Sequence, residues 1–262
     1  FHVSTADYLK FANGEQFFVD PANPGTALSM DPPAAFGFFG PTPAAITIQG
    51  STLQVPTGQT LSVIGGDLTM TGGALSAPSG QVNLASVKGQ AGEVLLANSQ
   101  APFGTGQIQL TQGATVDASG DPGGTVVIRA GRLVLDHSSV FSETEGDLDG
   151  ATLGIDIAVS GEVSASGGAL QSQARAGGDA GAITMTVGSL TLTDGAAIVS
   201  GTQGSGASGT VSVAATGPIA IAGQGGGFVS QIVTTAGPAS AGEGGQIVLT
   251  AESLSVSQQA LI

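Results

Sequence analysis

The sequence predicts an all-β chain wound as a three-faced β-solenoid, and three observations carry that prediction. Apolar residues come in pairs two positions apart: Ile46/Ile48, Leu53/Val55, Leu61/Val63, Leu68/Met70, Val82/Leu84, Val94/Leu96 and Ile108/Leu110. Glycine or another turn residue soon follows each pair, too soon for a sandwich, in which turns come roughly every 8–12 residues. From Gly124 onward a G-x-[IV]-x-[LIVM] strand is followed by a second alternating strand and, in complete units, by a third. A spacing of two places both apolar side chains on one strand face and turns the intervening Thr, Ser and Gln outward, so each strand is expected to be half-buried.

Taken in order, residues 1–43 have a composition of their own. Phe1, Tyr8, Phe11, Phe17, Phe18, Phe36, Phe38 and Phe39 are eight of the eleven aromatics, with only Phe103, Phe141 and Phe228 after them. Pro21, Pro24, Pro32 and Pro33 remove backbone donors, which predicts an aromatic-rich, irregular N-terminal flap packed against one end or side of the coil. Residues 44–97 carry the first rungs and residues 98–262 continue them as glycine-rich repeats, in one continuous structural domain. The repeats open with TVVIRA after Gly124, AITMTV after Gly181, TVSVAA after Gly209 and QIVLTA after Gly245. Inserts of variable length, GTQGSGASG from Gly201 and AGPASAGEGG from Ala236, fall at one corner of the coil, as insertions in a repeat architecture should. About 22 residues per lap give roughly eight to ten rungs and a rod of roughly 40–50 Å. Its interior is expected to be stacked Ile, Val, Leu and Ala, each fully buried large aliphatic contributing about 1.5–3 kcal/mol. Helix content should be near nil.

Composition narrows the function. The hydrophobic fraction of 41% separates the chain from disordered sequences even though charged residues make up only 9%. The net charge is −14, and Lys10, Lys88, Arg129, Arg132 and Arg175 are too scattered to form a basic patch, which excludes nucleic acid and anionic membranes as partners. Nothing resembles a membrane-inserting run. With no cysteine there is neither a disulfide framework nor a thiolate metal site.

The opening FHVSTADYLKF and the stretch DPPAAFGFFGPTPAAITIQGSTLQVPTGQTLSVIGGDLTMTGGALSAPSGQVNLASV from Asp31 to Val87 resemble the secreted hemagglutinin-like exoproteins of two-partner secretion. The likeness is to the later part of their filamentous-hemagglutinin N-terminal domain, extends through about Val94, and makes residues 44–97 the end of that domain. It implies a right-handed parallel β-helix, export through a dedicated outer-membrane transporter, and an adhesive life outside a Gram-negative cell or on its outer surface. The family's Asn-Pro-Asn-Gly-type secretion motif and a signal peptide are not found in these residues, so the chain is expected to be an internal fragment and no residue is assigned to transporter docking.

Few constellations carry chemistry. In SETEGDLDGATLGID, Glu145, Asp147, Asp149, Gly150 and Asp156 fall at positions 1, 3, 5, 6 and 12 of a calcium-loop template, although position 1 is Glu, position 12 is Asp and neither flank reads as helix. Calcium held by Glu145, Asp147, Asp149 and Asp156 is one expectation, and a solvated acidic corner loop is the plainer alternative. Asp117, Asp121, Arg129, Arg132, Asp136 and His137 form the one region of mixed polar chemistry, where Asp117 and Arg129 are expected to approach across adjacent rungs. A loop acid and a surface ion pair are the favoured account of these residues, because no adjacent acid pair, as glycoside hydrolysis requires, and no second basic group accompany them. Asp136 directly precedes His137, the wrong spacing for a triad. Gly204, Gly206 and Gly209 spell G-x-G-x-x-G, but a strand follows where a phosphate site needs a helix. The phenylalanines near the start fit either a carbohydrate-stacking platform or the core of the flap.

The expected function is therefore that of a secreted, non-enzymatic exoprotein, without catalytic residues or a bound cofactor, whose rigid acidic surface serves adhesion to cell-surface glycans or proteins or builds extracellular matrix. Two alternatives stand beside it: a filament subunit associating end to end, since open solenoid ends expose unpaired backbone, and a polysaccharide-active β-helix enzyme, since fold does not dictate function.

Overall fold

A computed structural model describes residues 1–23, 25–89, 91–96, 106–238 and 240–262. Phe103 and the boundary near residues 97 and 98 lie outside the described residues. Every element is a strand, and among the described residues no helix is long and apolar enough to cross a membrane.

The chain proceeds in laps. The first comprises β1 (His2–Ser4), then an excursion carrying β2 (Tyr8–Phe11), β3 (Gln16–Phe18) and β4 (Pro33–Phe38), then β5 (Ile46–Gln49) and β6 (Thr52–Gln54). The second is compact: β7 (Thr60–Gly65), β8 (Leu68–Thr71) and β9 (Ala74–Ser76). The third runs through β10 (Gln81–Ser86), a second excursion with β11 (Gly92–Leu95), β12 (Gln107–Thr111) and β13 (Thr115–Asp117). The fourth is β14 (Thr125–Ala130), β15 (Arg132–Asp136) and β16 (Ser139–Phe141). In the next two laps a long strand rounds the first corner without a turn: β17 (Leu153–Ser166) with β18 (Ala169–Ala174), then β19 (Ala182–Thr193) with β20 (Ala197–Thr202). β21 (Val211–Ala215), β22 (Pro218–Ala222), the small hairpin β23 (Gln224–Gly225) and β24 (Phe228–Val229), and β25 (Gln231–Ala236) make the seventh; β26 (Ile247–Thr250) and β27 (Ser253–Ser257) belong to the eighth.

Pairing between laps is parallel and in register along three columns, an all-β arrangement of the β-helix or solenoid kind. In the first column Leu61, Val82, Val126, Ile155, Ile183, Val211 and Ile247 sit one above another. In the second, Ile46, Leu68, Ile108, Leu133, Val163, Leu190, Ile219 and Leu254 do the same. The third stacks Leu53, Leu75, Val116, Val140, Leu170, Ile198 and Ile232. The three columns face one another around a single aliphatic core. The expected i, i+2 pairs from Ile46 to Leu84 and at Ile108/Leu110 are therefore the core positions.

The core also holds hydroxyls. Two residues beyond the third-column aliphatics lie Ser142, Ser172, Ser200 and Thr234, the last three in register. Ser142 donates to the Gly124 carbonyl and Ser172 to that of Gly181, both at 2.7 Å, and Thr234 donates to Gly245 at 2.9 Å. Ser200 is fully buried and its hydroxyl has no hydrogen-bond partner among the described residues. Ser172 and Thr234 thus tie the third column across its corner to the next pass of the first, and Ser142 ties it back to the start of its own lap.

The structure departs from three expectations. The N-terminal segment is not irregular: β1 joins the first column beside β7, and β2, β3 and β4 form an antiparallel sheet. Val94 and Leu96 do not belong to a rung, because β11 pairs antiparallel with β4. Nor are all strands half-buried. β7 and β10 are covered on both faces, since Ile64 and Ala85 on their outer side pack with Ala6, Phe38, Val87, Val94 and Leu96 in a second core. The physical reason is common to all three. Both excursions leave the first column before the second, two laps apart, and fold back over its outer face.

Candidate functional site

The sheet that the two excursions build, in the order β11, β4, β2, β3, is the most differentiated part of the molecule. Its apolar side closes on β7 and β10. Beneath it, Asn83 and Ser62, both fully buried, satisfy each other through an amide-to-hydroxyl bond of 3.2 Å, and Gln81 donates to Asn83 at 2.6 Å.

The two excursions are joined by charge. The Lys10 ammonium donates to both Glu93 oxygens, at 3.1 and 2.9 Å, and the Tyr8 hydroxyl donates to the same carboxylate at 2.9 Å. These hydrogen bonds, the one from Lys10 first, hold the Glu93 carboxyl below the usual glutamate range although burial opposes them. Tyr8 shifts the other way, to about 12, because burial and then its bond to Glu93 penalise the phenolate. Gly37 lies directly beneath that ring; a Cβ there would come within 1.9 Å of Tyr8 Cζ. Tyr8, Phe18 and Phe39 cluster at centroid distances of 5.2 to 6.0 Å, Phe18 and Phe39 stacked and Tyr8 tilted against both, and Phe39 remains 60% exposed. Of the aromatics expected to build a flap core, Phe11 and Phe38 are buried and Phe1 is exposed. At the base of the sheet Lys88 pairs with Asp67, whose carboxyl is lowered chiefly by the Gln107 backbone N–H and next by Lys88. The arrangement offers a braced apolar face.

The acidic loop residues are dispersed along the corner between the third and first columns. Asp147 accepts from the Gly177 N–H at 3.0 Å and Asp149 from that of Asp179 at 3.1 Å, so each braces the following lap. Asp156 lies on β17 and pairs with Arg129. Glu145 stands near Arg175, whose guanidinium is raised above its ordinary value mainly by the Glu143 side chain. Among the described residues no three His, Asp or Glu side chains gather as a metal would need.

The mixed polar region is equally dispersed. Arg129 does not meet Asp117, and the expectation that it would is corrected. Arg129 belongs to the first column, where β17 brings Asp156 alongside, whereas Asp117 sits in the third and accepts from the Ser119 N–H at 2.8 Å. Asp121 accepts from Leu148 N–H, Arg132 binds Glu162, and the His137 ring nitrogen Nδ1 meets its neighbour Asp136 at 2.7 Å. Gly204, Gly206 and Gly209 lie in a corner loop whose backbone stacks on the lap before, as in the bond from Gly206 N–H to Ala176. Sequence reasoning missed Glu93 and the buried Glu143, which Gln171 and Arg175 hold. The only signal for Glu93 was an isolated acid in an otherwise apolar stretch.

The cap sheet and the first four laps coincide with the one recognisable module in the chain. The family model of the TPS secretion domain matches residues 1–150. No curated protein and no solved structure matches. Since that match takes in more than half of its residues, the chain belongs to the TPS secretion domain family, the exoproteins of two-partner secretion.

Proposed function

We propose that the chain is the secretion portion and adjoining rod of an adhesive exoprotein: a right-handed, three-faced β-helix that leaves a Gram-negative cell and presents a rigid acidic surface to neighbouring cells or matrix. Family membership implies export across the outer membrane with a partner transporter. In this reading residues 1–43 supply the cap segment and residues 44–262 the rungs, as one structural domain, and the Tyr8, Phe18 and Phe39 cluster is the surface offered to the transporter. The observation that supports an extended, stiff body is the parallel stacking of three columns from the first laps to the last, with register shifts only at Leu153/Ile155 and Val159/Glu162 of β17 among the described residues. A net charge of −14 with so few basic residues supplies the acidic character.

Two measurements test the proposal. Secretion from cells carrying or lacking the partner transporter should depend on it, and replacing Phe39 with Asp should reduce export while leaving the purified chain folded. The exported protein should then adhere to epithelial cells or matrix. Transporter-independent release would overturn the first half, and secretion with no adhesion to either surface the second. A crystal structure reads the hand of the coil directly.

A further inference from the structure

The corner between the second and third columns is a repeated turn whose first residue in each lap takes a left-handed backbone: Gly50, Gly72, Gln112, His137, Gly167, Asp194, Gly223 and Gln258, with φ between 50° and 79°. Side chains at these positions rise along one outer edge, and glycine leaves gaps in the row. Two of the gaps differ. At Gly167 the space is taken by the His137 ring, whose Cδ2 would lie 2.9 Å from a Cβ. At Gly223 the only heavy atom near that point is the amide oxygen of Gln258, at 3.4 Å.

The Gly223 gap opens into a notch of about 370 Å³ lined by Thr193, Asp194, Gly223, Gln224, Gln258 and Gln259. That volume is at the small end of ligand sites, which span roughly 300–1,000 Å³. Asp194 gives one oxygen to the Ser166 hydroxyl at 3.0 Å, which orients the carboxylate, and its other oxygen accepts from no described residue. The amides of Gln224, Gln258 and Gln259 likewise have no partner among the described residues.

We infer that this notch is a binding site for a neutral saccharide. An oriented carboxylate accepts from sugar hydroxyls, and three amides both donate and accept, which suits a ring of adjacent hydroxyls. No Lys or Arg lines the notch, and the chain carries −14 charges, so sialylated, uronic and sulfated sugars are repelled. The inference deepens the adhesive reading by naming a ligand class.

The test titrates the purified chain with neutral oligosaccharides and with sialylated and sulfated counterparts, by ligand-observed magnetic resonance, and repeats the neutral set on glycolipid vesicles and glycosylated carrier protein to distinguish the two natural sources. Asp194→Asn and Gln258→Asn are the variants, since asparagine tolerates the left-handed turn. Millimolar binding of neutral sugars is expected, weakened at least about tenfold in the double variant at unchanged melting temperature. Absence of neutral-sugar binding, binding confined to anionic sugars, or full retention in a folded double variant each overturns the site. If the variant loses the sugar but still adheres to cells, the site stands and adhesion rests on other contacts as well. Sugar binding without any cell adhesion leaves the site in place and overturns the adhesive reading.

Discussion

Ser172 and Ser200 occupy successive places in one buried row, and only one of them is bonded. Removing the Ser172 hydroxyl leaves the Gly181 carbonyl without its donor, which costs about 1–3 kcal/mol for a buried polar group. Ser200→Ala removes an unpartnered oxygen and should be neutral within about 0.5 kcal/mol, or stabilising. Chemical denaturation of the two variants separates them, and equal losses would show that the row is not bonded as described. The loop acids give a second contrast. Asp149→Ala should cost about 0.5–1.5 kcal/mol through the lost Asp179 N–H bond. Added calcium should leave the melting temperature of the parent chain unchanged, because Asp147, Asp149 and Asp156 are already committed to separate partners.

At the scale of the element, the Glu93 clasp makes the cap sheet sensitive to pH in both directions. Glu93 is depressed in the folded state, so its contribution is present above the ordinary glutamate value of 4.5 and is lost as pH falls through the lower folded value. Tyr8 is raised from 10.0 to about 12, so its contribution is present below 10.0 and disappears as pH climbs toward about 12. Tyr8 is the only tyrosine and tryptophan is absent, so phenolate absorbance reports this group alone. It should titrate near 12 in the parent and lower, but still above 10.0, in Glu93→Gln, since the opposing charge is gone while the burial that contributes most to the shift persists.

The parallel strands were legible because each lies in a local pattern: Leu61 and Val63, or Ile108 and Leu110, announce an inward face within three residues. The cap was not, since Val94 and Leu96 present the same spacing while pairing with a strand almost sixty residues earlier. Local periodicity reports that a strand has an apolar face and says nothing of what covers it. For the same reason the partner of Arg129 was misjudged. Its neighbour depends on column membership, which requires knowing how many residues each corner consumes, and the corners vary. The interior serines were concealed by the abundance of serine elsewhere, although their recurrence after Val140, Leu170 and Ile198 was in plain sight.

For the whole molecule, each lap leans mainly on its two neighbours, so stability should be nearly a sum of lap and interface terms. Gly181 and Gly209 stack at the same corner, a Cβ on Gly209 lying 2.2 Å from the Gly181 carbonyl. Deleting residues 182–209 therefore joins equivalent points and should bring Ile155 beside Val211, Val163 beside Ile219 and Leu170 beside Ile232. The shortened chain should fold with an unchanged β spectrum by circular dichroism and a single cooperative transition. A deletion of equal length beginning at residue 190 would join Ser189 to Pro218, one residue out of step with the pairing of Leu190 and Ile219, turning Ile219 and Ile221 outward, and should not.

The cap sheet's middle strand waits for a partner that lies beyond two full turns of the coil. A polypeptide emerging from its amino end has β2, β3 and β4 available early, but β4 keeps an open flank, and Lys10 a bare charge, until Glu93 arrives. Order of appearance thus becomes order of assembly. The cover over the outer side of the first column is drawn shut only after the rungs it protects have been laid down.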